Sequence, residues 1–152
     1  MAALVCIAVG TMLVVSKYDI FRAASEGELF SYITNDDMAG GSWSVTGLTA
    51  AGNGHLAANS GTITIPSLHE GKQVTRISGT AFKNSTSLVS VSLPEGLINI
   101  EFRAFSQNRA LTSINIPASV ELIRNQAFAG CDSLDAASRS QIEAFNPRAL
   151  HY

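Results

Sequence analysis

The sequence predicts a β-rich α/β solenoid, in which a repeated segment forms a stack of short parallel strands. Two observations predict this fold. Residues 88–110 and 111–133 match position by position without a gap. An Ala-Phe pair also recurs at 81–82, 104–105 and 127–128, a constant spacing of 23 residues. A fixed period of this size is typical of proteins whose units are too small to bury their own apolar side and therefore pack on one another.

Each repeat contains a short strand that ends at a proline. Before the proline, apolar residues alternate with small polar ones, which sends the apolar set inward and the polar set to solvent. The proline ends the strand because it lacks the N–H group that further pairing requires. The outward positions form a ladder of candidate binding residues: Thr62, Thr64, Ser90, Ser92, Ser113 and Asn115.

A second apolar face follows each proline, and the Ala-Phe pair then closes the unit. One phenylalanine per unit in matched register favours a packed core over an aromatic ligand site, and burying such a ring is worth about 1.5–3 kcal/mol. The predicted core residues are Ile65, Ile77, Phe82, Leu93, Ile100, Phe105, Ile116, Ile123 and Phe128.

The repeated pattern L-x-S-I-x-I-P-x-S-V-x-x-I-x-x-x-A-F-x-G-C-x-S, which residues 111–133 reproduce almost entirely, resembles the BspA-like class of leucine-rich repeats. The preceding unit departs from that pattern at Gln107 and Asn108, where the family usually has Gly-Cys. The first unit departs by an insertion between Pro66 and Val74. The resemblance implies a leucine-rich-repeat-like right-handed coil of short parallel strands, in secreted or surface-attached proteins that bind other macromolecules without catalysis.

The first segment, residues 1–16, is an apolar leader. Its uninterrupted apolar run is too short to cross a bilayer and has the length of a signal-peptide core, although the usual positive residues are missing before it. We expect an export signal or a membrane anchor here. A buried helix or strand, or the remnant of a truncated upstream region, remains open as the alternative.

Three further segments follow the leader. Residues 17–60 predict a linker helix and then a β hairpin that would form an N-terminal cap over the repeats. Residues 61–133 contain three repeats. Residues 134–152 predict a short C-terminal capping helix, with Ser138 and Gln141 as a capping box, and a frayed tail at His151 and Tyr152.

Composition and charge exclude several function classes. The net charge of −2 argues against nucleic acid, which proteins bind through clustered Lys and Arg. The three histidines stand alone, without the spacing of metal ligands, and Asp36-Asp37 lacks the spaced oxygen donors of a calcium loop. We therefore expect no metal and no cofactor. Cys131, far from Cys6 in sequence, is expected to be a buried free thiol.

Catalysis is not expected either. A polysaccharide-active solenoid enzyme is the rival class, and it would need acids and cations stacked on the outer face. The predicted outer ladder carries only hydroxyl and amide groups, with no histidine in register to activate a serine.

The remaining hypotheses are a binding module and an inert one. A binding module would use the outer ladder, or the inserted loop with His69 and Lys72, to contact a protein or glycan. The alternative is a structural spacer or a fragment of a larger solenoid, present as a monomer or within a longer array. Solvent-exposed Ile98 and Leu122 would favour binding, because apolar patches mark partner sites. Asn84 begins an N-glycosylation sequon, which matters only in an exported eukaryotic chain.

Overall fold

The computed structural model describes residues 6–8, 11–13, 29–35 and 41–152. Its strands are β1 (Cys6–Ala8), β2 (Thr11–Leu13), β3 (Phe30–Asn35), β4 (Ser42–Leu48), β5 (Thr62–Thr64), β6 (Leu68–His69), β7 (Lys72–Ile77), β8 (Ser90–Ser92), β9 (Asn99–Ile100), β10 (Ser113–Asn115) and β11 (Leu122–Ile123). Its helices are α1 (Ala50–Ala58), α2 (Ala136–Phe145) and a 3₁₀ turn at Pro147–Ala149.

The repeats build two sheets, and each repeat adds one strand to each sheet. The first sheet has the order β10-β8-β5, and all of its pairs are parallel. The second has the order β11-β9-β7-β4-β3, with β6 paired to β7 at its side. Its pairs are parallel except for the β3–β4 hairpin and the β6–β7 pair, which are antiparallel. Strands one repeat apart pair in exact correspondence, so that Ile77 lies beside Ile100 and Ile100 lies beside Ile123. We call one such repeat with its two strands a coil.

The interior between the sheets holds the alternating apolar side chains. Ile63, Val91 and Ile114 occupy the middle of β5, β8 and β10 and are buried, while their neighbours on both sides face outward. Of the predicted core residues, Ile116 alone is only half-buried. It directly follows β10, the edge strand of the first sheet, so a helix and not a further strand lies beside it.

A column of phenylalanine rings runs along the centre of the coils. Phe82 stacks on Phe105 with 5.1 Å between ring centroids, and Phe105 stacks on Phe128 with 5.2 Å. The rings are nearly parallel, at 7° and 1°, and all three are buried. Phe30 of the hairpin meets Phe82 edge-on at 6.2 Å. The hairpin thus continues the aromatic column beyond the first repeat.

The turn after each phenylalanine has the same left-handed backbone in every coil. Its φ angle is 61° at Asn84, 65° at Gln107 and 76° at Gly130. This conformation costs non-glycine residues roughly 1–2 kcal/mol and glycine almost nothing. Gly130 holds the position where the resembled family has glycine, and the other two coils keep the turn without it.

At the N-terminal side, β4 pairs with β7 and brings the hairpin against the first coil. Asn35 donates to the Ser42 hydroxyl and accepts from the Ser44 hydroxyl, and Thr75 of β7 also donates to Ser42. These buried polar groups therefore satisfy one another across the strands. The acids at 36–37, set aside above as calcium ligands, lie outside the described residues.

Helix α1 was not predicted from the sequence. Two glycines interrupt it, and glycine disfavours helix interiors by about 1 kcal/mol relative to alanine. Thr49 caps its N-terminus by accepting a hydrogen bond from the Gly52 N–H at 3.1 Å. Leu56 is the buried side chain that packs the helix on the core.

At the C-terminal side, α2 lies over the free edge of β10. The prediction of a capping box at Ser138 was wrong: the helix begins three residues earlier, and Asp135 is its cap, accepting from the Ser138 N–H at 2.7 Å. The Ser138 hydroxyl is buried and bonds both main-chain groups of Ile114, at 3.1 and 3.2 Å. Gln141 accepts from the Ile116 N–H. These side chains take the place of the next strand.

The tail packs on the last coil. The Phe128 N–H donates to the Ala149 carbonyl at 2.8 Å, as the Phe105 N–H does to the Ala127 carbonyl. Ala149 and Leu150 are buried. They therefore lie next to the Ala-Phe pair of the last coil, as each such pair lies next to the one before it. The predicted fraying is wrong for Tyr152, because its hydroxyl donates to the Ala129 carbonyl at 3.2 Å.

Within the predicted leader, only the backbone of β1 and β2 is described. These two strands pair antiparallel, with Ile7 opposite Met12. The other leader residues, and almost all of the predicted linker helix after Tyr18, lie outside the described residues. Among the helices that the structure does describe, none is both long and apolar enough to cross a membrane.

Candidate binding surfaces

The predicted outer ladder lies on the solvent face of β5, β8 and β10. Thr62, Ser90 and Ser113 form one row of paired positions, and Thr64, Ser92 and Asn115 form the other. All are exposed except Ser90, which is half-buried. Asn115 uses its side-chain oxygen to accept from the Leu93 N–H at 3.0 Å, so it also holds adjacent coils together. The ladder is a neutral hydroxyl and amide surface.

An open groove borders this ladder, with a volume of ≈ 560 Å³. The ladder residues Thr64 and Ser92 line it together with Pro66, Pro94 and the exposed Leu68. The two prolines stand two residues after the ends of β5 and β8. This groove offers hydroxyls and small apolar surfaces, with Glu95 as its charged group.

The inserted loop does not project freely from the first coil. Its strand β6 pairs with β7, and His69 packs between two rings of the hairpin. The imidazole stacks on Tyr32 with 3.7 Å between centroids and meets Trp43 edge-on at 4.8 Å. These ring contacts hold the loop on the hairpin and leave His69 and Trp43 half-buried. Lys72, in contrast, is exposed.

A second surface contains two further apolar side chains of the repeats that lie in solvent, Phe102 and Leu122. Phe102 is 45% exposed and Leu122 is 40% exposed. They line one groove of ≈ 310 Å³ together with Arg124, Asn125 and Asn146. We call Phe102 and Leu122 the apolar patch. Ile98, the other residue whose exposure was in question, is half-buried.

The neighbouring coils show that the apolar patch is not imposed by the repeat. The residue equivalent to Phe102 is Gly79 in the preceding coil and Asn125 in the following one. Leu122 lies beside Asn99, which lies beside Arg76. The fold therefore accepts polar residues at both positions. Sequence reasoning missed Phe102, although its mismatch with the sister coils was the available signal.

Arginine side chains surround the apolar patch. The Arg103 guanidinium lies 4.9 Å from the centroid of the Phe102 ring, within the range of a cation–π contact, and its Nε donates to Gln126 at 2.7 Å. Glu101 pairs with Arg124 at 2.6 Å and lies 3.8 Å from Arg76. Two guanidinium groups, those of Arg76 and Arg124, thus share the Glu101 carboxylate, while Arg103 contacts an amide oxygen and an aromatic ring.

The buried thiol does not form a reactive site. Burial raises the pKa of Cys131 to about 12, and its Sγ donates to the Phe105 carbonyl at 3.1 Å. A thiol with so high a pKa carries almost no thiolate at neutral pH. In the part of the chain that the structure describes, no group of three or more His, Cys, Asp or Glu side chains could hold a metal ion. Asn84 of the sequon is exposed.

Comparison with solved structures identifies the fold. The chain is similar to the leucine-rich repeat protein of T. pallidum, with a TM-score of 0.60 and 29% identity over 70% of this chain and 45% of that one. It is also similar to a leucine-rich cell surface protein of Faecalibacterium prausnitzii, with a TM-score of 0.56 and 28% identity over 70% of this chain and 27% of that one. A leucine-rich repeat protein of Bacteroides ovatus gives a TM-score of 0.56 and 26% identity, over 69% of this chain and 27% of that one. The matched region therefore spans less than half the length of these relatives. None of the curated proteins compared with the chain matches it.

A family model gives the same assignment from the sequence. The BspA type leucine rich repeat region matches residues 58–151 in six copies. This range includes the predicted repeats at 61–133 and continues through α2 and the tail. The resemblance inferred from the repeat pattern is confirmed, and the sheets described above are those of a leucine-rich-repeat fold. The chain belongs to the BspA-type leucine-rich repeat family.

Proposed function

We propose that the chain is a non-catalytic protein-binding module that acts outside the cell or on its surface. The observation that carries this proposal is the apolar patch. Two large apolar side chains lie in solvent at positions where the sister coils carry glycine, asparagine or arginine. Because the fold does not need them there, a partner is the best account of their exposure.

The proposed location rests on different support. The predicted leader has the length of a signal-peptide core, and one structural relative is a cell surface protein of F. prausnitzii. The non-catalytic part of the proposal follows from the side chains of the outer ladder, which are neutral hydroxyl and amide groups. A polysaccharide-active enzyme would need carboxylates there to donate and accept protons.

The shape of the module is part of the same proposal. We infer that the coils form a right-handed solenoid, with the β3–β4 hairpin as an N-terminal cap and α2 as a C-terminal cap. Ser138 bonds both the N–H and the carbonyl of Ile114, so another coil would have to displace α2 before pairing with β10. This contact favours a discrete binding module over a spacer cut from a continuous array.

Glycan binding is the second candidate. It would use the groove beside the outer ladder, where Thr64 and Ser92 offer hydroxyl groups next to Pro66 and Pro94. Such a groove suits a neutral sugar chain better than a charged one, because its hydroxyls can donate and accept hydrogen bonds. The two candidates thus place the ligand on different sheets.

A peptide-display library and a glycan array, both probed with the full chain, test these alternatives. Two matched variants give each patch position the residue of a sister coil: Phe102→Asn, as at Asn125, and Leu122→Asn, as at Asn99. The control is Ser92→Asn in the outer ladder, which copies Asn115. We expect the enriched peptides to lose binding to both patch variants and keep it with the control. The reverse result, or binding to glycans alone, would favour the ladder, and no binding in either assay would favour the spacer.

A further inference from the structure

We propose that the apolar patch recognises a protein segment that carries carboxylates next to an aromatic or aliphatic side chain. This inference rests on the proposed function and names the chemistry of the partner. The patch provides the apolar contact, and the arginines around it provide the charge that selects acidic segments.

The position of Arg103 joins the apolar patch to a positive charge. Its guanidinium lies over the Phe102 ring, so the apolar surface that a partner would cover ends at a positive charge. The Gln126 oxygen fixes this side chain at 2.7 Å but brings no negative charge to it. A carboxylate that approaches the exposed side of Arg103 could therefore pair with it while a neighbouring side chain contacts Phe102.

The ion pairs beside Leu122 leave the same surface positive. Glu101 faces both Arg76 and Arg124 and pairs more closely with Arg124, which lines the groove. Arg124 and Arg103 thus place two positive charges beside the patch, against the one carboxylate of Glu101. Complementary charge speeds encounter with the correct partner and disfavours the wrong one, so this excess should select acidic segments over basic ones.

The groove limits the size of the group that enters it. Its volume of ≈ 310 Å³ is at the lower end of ligand pockets and suits one inserted side chain with the backbone beside it. Asn146 donates to Asn125 at 3.0 Å and to the Ile123 carbonyl at 2.9 Å, and these bonds hold the polar part of the groove lining in place. An extended segment with an apolar anchor and flanking carboxylates fits this shape and charge.

Two fluorescein-labelled peptide pools test the inference with the full chain. Both pools contain Phe and Leu among serines, and the remaining positions are Glu and Asp in one pool and Lys and Arg in the other. Fluorescence anisotropy should show binding of the acidic pool only, weakened several-fold between about 50 and about 500 mM NaCl because salt screens exposed charges. The variant Arg103→Gln introduces the residue that the next coil carries at the equivalent position, Gln126. The backbone accepts it there, because φ is 57° at Arg103 and 61° at Gln126. This variant should bind the acidic pool about two- to five-fold more weakly, as expected for a partly exposed ion pair.

The control is Arg109→Gln, which removes one exposed positive charge outside the groove and should leave binding unchanged. Equal binding of both pools, lost in Leu122→Asn, would overturn the acidic preference and leave the proposed function standing. Binding of neither pool would also overturn it, and the peptide-display experiment would then decide the proposed function by itself. Sedimentation that shows a dimer dissociated by Leu122→Asn would assign the patch to a second copy of the chain and overturn the inference too.

Discussion

Replacing Phe105 with alanine should destabilise the whole repeat array. Phe105 is the middle ring of the phenylalanine column, fully buried and stacked on both sides. Truncating a buried phenylalanine costs roughly 3–5 kcal/mol, because apolar contact is lost and a cavity remains. Folded domains are stable by only about 5–15 kcal/mol, so this change removes a large fraction of the total. For a chain of this size, it corresponds to a fall in melting temperature of roughly 6–20 °C.

The assay is thermal unfolding followed by circular dichroism, together with urea unfolding at neutral pH. Phe102→Ala is the matched control, because it removes the same side chain from the same coil at an exposed position. We expect it to change stability by less than about 1 kcal/mol. Equal melting temperatures for Phe105→Ala and the parent chain, or equal losses in the two variants, would show that the phenylalanine column does not hold the coils together.

The remaining predictions concern the last coil and the helix that covers it. Ser138→Ala should lower the free energy of urea unfolding by about 1–3 kcal/mol, because it leaves both main-chain groups of Ile114 without their side-chain partner. The control is Ser140→Ala on the exposed face of α2. An equal loss of stability in the control would contradict this role of Ser138. The hydrogen bond from the Ser138 N–H to the Asp135 carboxylate lowers the pKa of Asp135. The charge of Asp135 therefore stabilises the fold above the unfolded pKa of about 3.9, and this contribution is lost as pH falls through the folded pKa. Asp135→Asn, which keeps the capping oxygen, should therefore lower the urea midpoint at neutral pH and match the parent chain in strong acid; a constant difference at all pH values would refute the assignment. In a Cys6→Ser background, Cys131 should not react with a thiol reagent in the folded chain at pH 8 and should react fully in guanidinium, whereas rapid reaction of the folded chain would show that the thiol is not buried.

The repeat array follows from the sequence because two independent signals agree there. The period of 23 residues fixes which positions stack, and the alternation before Pro94 and Pro117 fixes which side chains point inward. Strand pairing then follows the period, as the parallel register of Ile77, Ile100 and Ile123 shows. The outer ladder was predictable for the same reason.

The two ends of the stack could not be predicted in this way, because nothing there repeats. Helix α1 contains two glycines and has no apolar face that its sequence makes evident. The sequence pattern of a capping box at Ser138 hid the true N-cap, which is Asp135. The Ser138 side chain instead bonds to Ile114 of β10. His69 packs on Tyr32 because the hairpin and the inserted loop meet only in the folded chain.

The candidate site was only partly predictable. Leu122 was recognised as a possible exposed apolar residue, since the period places it next to a residue that points inward. Phe102 was not, because a phenylalanine is usually assigned to the core. Only the contrast with Gly79 and Asn125 separates it from the buried ring at Phe105.

The left-handed turn shared by Asn84, Gln107 and Gly130 has a consequence for how such a chain can change. Three chemically different residues adopt the same main-chain conformation there. The path of the chain is therefore set by its inward side chains and its hydrogen bonds to adjacent coils, and not by the side chain at the turn. Exterior positions are then open to substitution one at a time. A lineage carrying this scaffold can acquire a new specificity by a handful of outward replacements in a single layer, while the other layers keep the molecule folded.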